Sequence, residues 1–299
     1  MKVIRSLFVV VAAAILVSCG TSRVVPITGR KQTLLVSDEQ VLSLSNQEYT
    51  KYMSTATKST NATNTAMVQR VGQRLANAVQ DYLSANGLAS ELNQYSWEFN
   101  LVKDNSVNAF CMPGGKIVVY EGLLPVTQDE ASLAIVLGHE IAHAVAKHSA
   151  EQMSKQIKQQ YGTQILGGVL SAAGVGSTGT SIAQLIVQNG LQFRNLKYSR
   201  DHETEADHMG LIFAAMAGYD PQVAVSFWQR MAAQSGSSND NDMFSDHPSD
   251  AKRIAAIQKD MPEALQYYNG GKGTTSSTTV KSTPATTKTV SVSSLTNKK

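Results

Sequence analysis

The sequence has little cysteine, little charge and no long apolar run. Two cysteines in 299 residues, Cys19 and Cys111, exclude a disulfide framework. Charged residues make up 16% and the net charge is +3, which argues against a dedicated nucleic-acid binder and leaves only a local patch open. The uncharged stretch Ser6–Leu16 falls short of the roughly 20 apolar residues a membrane span needs. No internal repeat is visible, so a solenoid is not expected. What is present, 42% hydrophobic residues, excludes a collagen-like or wholly disordered chain and suffices for one large domain or two small ones.

The two ends differ from the middle. Lys2 and Arg5 precede the apolar Ser6–Leu16 stretch, the pattern of a basic n-region and an h-region. Leu16-Val17-Ser18-Cys19 then resembles a bacterial lipobox, which implies cleavage after residue 18 and a lipid on Cys19. An ordinary signal peptide or an uncleaved anchor is the alternative. Gly20 lacks the aspartate associated with inner-membrane retention, which favours an outer-membrane anchor facing the periplasm. Residues 19–36 read as the lipidated cysteine and an extended tether. At the other end, residues 270–299 are rich in Thr and Ser, with five lysines and no acid. Such a tail cannot bury enough apolar surface to offset its ordering entropy. Residues 19–269 hold 19 basic and 23 acidic residues, a net of −4, so the overall positive sign belongs to the two ends.

Residues 37–269 read as one α+β domain, mainly helical with a small sheet. Helices are expected at Ser37–Thr55, with Ser37 as N-cap, and at Asn64–Ala85, where Met67, Val71, Leu75, Ala78 and Tyr82 recur at helical spacing. Strands are expected at Trp97–Val102 and Lys116–Tyr120, the second after the turn Pro113-Gly114-Gly115. Further helices follow at Asp129–Met153, at Ile182–Ala217 with a break near Gly190 as the alternative, at Pro221–Ala233 and at Pro248–Ile257. The uncharged stretch between Lys158 and Arg194 has a Gly-Ser-Thr-rich centre, which favours a helix–loop–helix or lid over a transmembrane hairpin. Cys111 reads as a small buried hydrophobe.

Chemistry concentrates in His139-Glu140-Ile141-Ala142-His143. Histidines four apart project from one face of a helix and can present two imidazole nitrogens to one Zn²⁺. Glu140 points beside such a metal and can take a proton from the attacking water and return it to a leaving amine. The flanks Leu133, Ile135, Val136, Leu137, Ile141 and Ala142 are apolar, so the helix is buried, and a buried His-Glu-His cluster needs a compensating partner. On a continuous helix His148 would lie about 180° from His139, which excludes it as a ligand. Ser149 stands where a metzincin places its third histidine. Glu203 and Asp207 share a helical face with Ala206, Gly210, Ala214 and Ala217, whose small side chains allow a second helix to come close. Glu203 is therefore assigned as third ligand and Asp207 as the carboxylate that orients a ligating histidine. Glu205 reads as an outward charge, and His202 and His208 as surface or packing residues.

Four pieces in order resemble the HtpX-like and CAAX-prenyl-protease-like zinc metallopeptidases: Asn108–Ile117, Gly138–His143, Tyr198–Gly210 and His247-Pro248. The resemblance covers about Met67 to Ile257 and is greatest to the periplasmic lipoprotein branch. It implies a zincin-like domain with one Zn²⁺ per subunit at His139, His143 and Glu203, and with Glu140 as general base. It also implies that the Asn108–Tyr120 hairpin, with Asn108, Gly114 and Gly115, supplies an edge strand that binds an extended peptide. His247 would act in catalysis as an oxyanion donor or as an inhibitory fourth ligand; a structural cap is the alternative. The implied activity is cleavage of misfolded or damaged envelope polypeptides by a lipid-anchored endopeptidase, with no nucleic-acid partner. The competing reading is a latent or non-proteolytic zinc-binding chaperone or scaffold.

Overall fold

The computed structural model describes residues 21–166, 193, 196–234 and 251–273. Cys19, the 1–18 signal, His247 with Pro248, most of the 158–194 stretch and the tail beyond residue 273 lie outside the described residues. The described residues open with a hairpin of β1 (Thr21–Val24) and β2 (Lys31–Leu34), paired antiparallel. This corrects the expected extended tether: Val25, Gln32, Leu34 and Val36 are buried against the body. Backbone hydrogen bonding supplies what the sparse apolar content of the segment does not.

Helix α1 (Asp38–Thr55) starts where Ser37 and Gln40 form a reciprocal capping box, and α2 (Ala62–Ala85) starts at Asn61, whose side chain accepts the Asn64 N–H. Val68, Val71, Leu75 and Val79 turn one face of α2 into the core. Three strands follow: β3 (Glu98–Val102), β4 (Ala109–Met112) and β5 (Lys116–Tyr120). The sheet order is β3-β5-β4, with β5 parallel to β3 and antiparallel to β4. All five residues of the central strand β5 are buried: Ile117, Val118, Val119 and Tyr120 as the apolar run a middle strand carries, and Lys116 through its ion pair with Glu98. Gly114 and Gly115, at φ of 89° and 82°, make the tight turn into β5.

The expected helix Asp129–Met153 is two helices, α3 (Glu130–Val145) and α4 (His148–Leu166). The break sits at Lys147, a non-glycine residue at φ 54°. Side chains hold it there: Lys147 Nζ reaches Asp38 at 2.5 Å and Glu91 at 3.0 Å, and Gln32 of the hairpin donates to the Ala146 carbonyl at 3.0 Å. Next, α5 (Arg200–Met216) begins where Ser199 accepts the His202 N–H, while most of the expected stretch between Ile182 and residue 195 lies outside the described residues. Among the described residues two further helices follow, α6 (Val223–Gln234) and α7 (Ala251–Gly273), the latter running past the expected boundary at residue 269. No helix among the described residues is long and apolar enough to cross a membrane.

α3 and α5 cross at their glycines. A Cβ on Gly210 would stand 2.6 Å from the His139 nitrogen, and one on Gly138 would stand 2.6 Å from the Gly210 carbonyl oxygen. Only hydrogen fits between the two backbones. Gly210→Ala is expected to cost about 2 kcal/mol, by overpacking. Gly270→Ala, in open space on α7, should instead gain up to about 1 kcal/mol from helix propensity. Urea denaturation of the two variants checks both signs.

Candidate metal centre

The close crossing brings α3 against α5 at the level of His139. His139, His143 and Glu203 are all buried, and one ligand atom from each lies within 4.8 Å of the others. His139 Nε2 and His143 Nε2 are 3.1 Å apart; Glu203 approaches each at 3.4 Å. Ligands bound at 2.0–2.1 Å to a tetrahedral ion stand about 3.3 Å from one another, so the spacing and the two-nitrogen, one-carboxylate donor set fit Zn²⁺.

Charge is arranged around these atoms. Asp207 Oδ1 lies 2.9 Å from His139 Nδ1, one turn beyond Glu203 on the same face of α5. Arg253, from the first turn of α7, donates to Asp207 at 2.6 Å, approaches Glu203 at 3.6 Å and lies 3.5 Å over the Trp228 ring. Burial and Arg253 both oppose a proton on His139, but hydrogen bonds to Asp207 and Glu203 outweigh them and raise its pKa to about 9. Burial pushes His143 well down against the pull of Glu203. An added proton is therefore favoured on His139 and disfavoured on His143.

Glu140 is buried between the cluster and the sheet, and its Oε2 accepts the Cys111 N–H at 3.3 Å. That contact defines the outer edge of β4. Tyr120 N–H bonds the Asn108 carbonyl, so by antiparallel alternation Asn108, Phe110 and Met112 face β5, while Ala109 and Cys111 face outward. The expected edge residues shift accordingly. The carbonyls of Asn108, Gly114 and Gly115 are taken by Tyr120, Ser96 and Glu98, and the outward backbone belongs to Ala109 and Cys111. Gly114 instead lines a cleft, with Leu42, Tyr95 and Ala150, that reaches His143. Cys111 is buried and its thiol pKa is pushed up by that burial, as a packing cysteine requires.

Several buried polar residues were not expected. His148 is fully buried, with Nδ1 2.9 Å from His143 Nδ1 and Nε2 2.9 Å from Glu205. The break at Lys147 carries it there, so the helical-wheel position of a continuous helix does not apply. Glu205 is buried too, not outward, because the hairpin covers that side of α5; Arg30 and Thr28 reach it. His202 packs on His148 with ring centroids 4.4 Å apart, while His208 pairs with Glu263 near the surface. Tyr198 stacks on His143 at 4.1 Å and bonds Ser149. Arg253 carried no sequence signal of its own; the only pointer is its place six residues after His247.

Arg253→Leu is expected to cost the metal-free protein about 3 kcal/mol, since it strips a cation from buried Asp207 and Glu203. Saturating zinc should shrink that loss by restoring positive charge at the same carboxylates. Urea denaturation with chelator and with excess zinc measures both.

Comparison with known proteins agrees with this geometry. The family model described as Peptidase family M48 matches residues 47–261. The chain is 39% identical over 178 residues to "Mitochondrial metalloendopeptidase OMA1" of Schizosaccharomyces pombe, covering 58% of this chain and 50% of that protein. It is 32% identical over 246 residues to "Metalloendopeptidase OMA1, mitochondrial" of Homo sapiens, covering 81% and 46% respectively. It is also 32% identical over 180 residues to "Beta-barrel assembly-enhancing protease" of Yersinia pestis, covering 56% and 36%. The matched stretch thus spans half or less of each of these relatives. With the family model matching well over half its residues, and two histidines of one helix meeting a glutamate of another, the chain belongs to peptidase family M48.

Proposed function

We propose that this chain is a zinc-dependent endopeptidase held at a bacterial envelope membrane through a lipid on Cys19, cleaving misfolded or damaged envelope polypeptides. The observation that carries the enzymatic part is the convergence of His139, His143 and Glu203 with Glu140 lying between them and the outer edge of β4. His139, His143 and Glu203 would hold the ion. Bound there, Zn²⁺ would polarise the scissile carbonyl and acidify the attacking water. Glu140 takes the proton of that water and passes it to the leaving amine. The outward backbone of Ala109 and the outward Cys111 carbonyl align an extended peptide as an added strand, while the Cys111 N–H stays on Glu140, which accounts for tolerance of sequence in an unfolded substrate. Asp207 fixes the His139 ring.

The envelope assignment draws on the lipobox-like Leu16–Cys19 stretch and on similarity to a protein named for enhancing β-barrel assembly. His247 serves at the same site, as an oxyanion donor or a reversible blocking ligand.

Glu140→Gln should bind one zinc per chain and lose cleavage of casein by at least a hundredfold, while chelation should abolish cleavage by the unaltered protein. Zinc content and casein hydrolysis, measured on the same preparations, test this; full activity in Glu140→Gln sinks the mechanism. His247→Ala separates the two roles of that residue: activity rises if it blocks and falls if it assists.

A further inference from the structure

We propose that His148, Glu205 and Arg30 form a relay that orients the metal ligand His143, making the N-terminal hairpin a working part of the metal centre. The inference rests on reading His143 as a ligand.

Hydrogen-bond polarity carries it. His143 turns Nε2 toward His139 and Glu203, so Nε2 is the ligating atom and the ring proton sits on Nδ1. Two nitrogens 2.9 Å apart need one donor and one acceptor, so His148 Nδ1 accepts from His143 Nδ1–H. The His148 proton is then on Nε2, which donates to Glu205 Oε2 at 2.9 Å. Glu205 accepts in turn from Arg30 Nε at 2.8 Å and from Thr28 Oγ1 at 2.5 Å. A single choice of tautomers satisfies every link, and turning either ring breaks two of them.

The surroundings enforce that choice. His148 stacks on His202, with rings 14° from parallel, and Tyr198 stacks on His143. Arg30 is delivered by a turn built for the purpose: Ile27 and Gly29 take φ of 65° and 68°, Val25 N–H closes on the Arg30 carbonyl, and Ile27 N–H bonds the Tyr82 hydroxyl. The other guanidinium nitrogens reach Glu151 on α4 at 2.8 and 3.2 Å. The two ligands on α3 are thus supported differently. His139 meets a carboxylate directly, through Asp207, and His143 meets one through a second histidine.

Zinc affinity by chelator competition and the visible spectrum of the Co²⁺-substituted protein test the relay, on the full chain. His148→Phe should weaken zinc 10- to 100-fold and shift the Co²⁺ bands. Glu205→Gln and Arg30→Met should weaken it by about three- to tenfold. His148→Gln, whose amide can both accept and donate, should recover part of the loss. Arg70→Met, which removes a surface ion pair with Glu130, should leave affinity and spectrum unchanged. Folded variants of His148, Glu205 and Arg30 with unaltered affinity and spectrum overturn the relay. If His148→Phe does not fold, Arg30→Met decides alone, and unchanged affinity there has the same force. An unaltered protein that takes up no stoichiometric zinc removes the metal reading itself, and the relay with it, a result distinct from equal binding by all forms.

Discussion

The glycine-to-glycine crossing of α3 and α5 is the constraint on which the rest of the structure depends. Helices normally pack with axes 8–10 Å apart, their side chains interleaved. Here the contact is backbone on backbone at Gly138 and Gly210. That approach lets short side chains on facing helices meet: Glu203 and Asp207 reach His139 from one turn to two turns before Gly210. A wider crossing would leave a carboxylate and an imidazole each buried without the other. The metal chemistry is therefore a property of helix packing before it is a property of the residues.

A second constraint follows from the first. Packing α3 and α5 so tightly buries ionisable groups on every side, and each has to find a partner. The structure answers by bringing cations from both ends of the described chain. Arg253 arrives on α7 and neutralises Asp207, while Arg30 arrives on the hairpin and neutralises Glu205 and Glu151. His148 and then Arg30 hold Glu205 ionised despite its burial, and Arg30 followed by Lys155 does the same for Glu151, each with a pKa of about 2. By linkage this contribution is fully present above the ordinary carboxylate pKa and fades as pH falls toward 2. Neutral pH thus leaves the network intact.

Local signals in the sequence were sufficient for the elements that carry chemistry. The four-residue spacing of His139 and His143, and of Glu203 and Asp207, survives because α-helical geometry fixes it without reference to the rest of the fold. The small-residue stripe Ala206, Gly210 and Ala214 correctly anticipated the close helix. What failed had tertiary causes. The break at Lys147 has no glycine or proline to announce it; ion pairs to Asp38 and Glu91 and a hydrogen bond from Gln32 impose it. Without the break His148 belongs on the far side of the helix, and with it the residue touches His143. Glu205 read as outward because nothing in α5 reveals that a hairpin more than 170 residues earlier covers it. Residues 21–36 read as a tether because a few scattered apolar residues, Val25, Leu34 and Val36, do not announce the backbone pairing and the Arg30 contacts that fix them against the body.

These failures share one physical origin, and it bears on how the protein would respond to metal. The centre is assembled from Arg30, Cys111, Glu140, Glu203 and Arg253, groups scattered over most of the described chain. None of the local segments can form the site alone, since each supplies at most two of the three converging donors. Preorganisation of the donors is a consequence of global folding, so binding free energy for the ion adds directly to folding free energy. The arrangement also limits the reverse effect. The metal-free protein already has its carboxylates compensated by His139, Arg253 and Arg30, which lets the fold stand before the ion arrives. A site of this kind should bind zinc as a lock engages a finished frame, in contrast to small metal-dependent folds in which the ion supplies the only core.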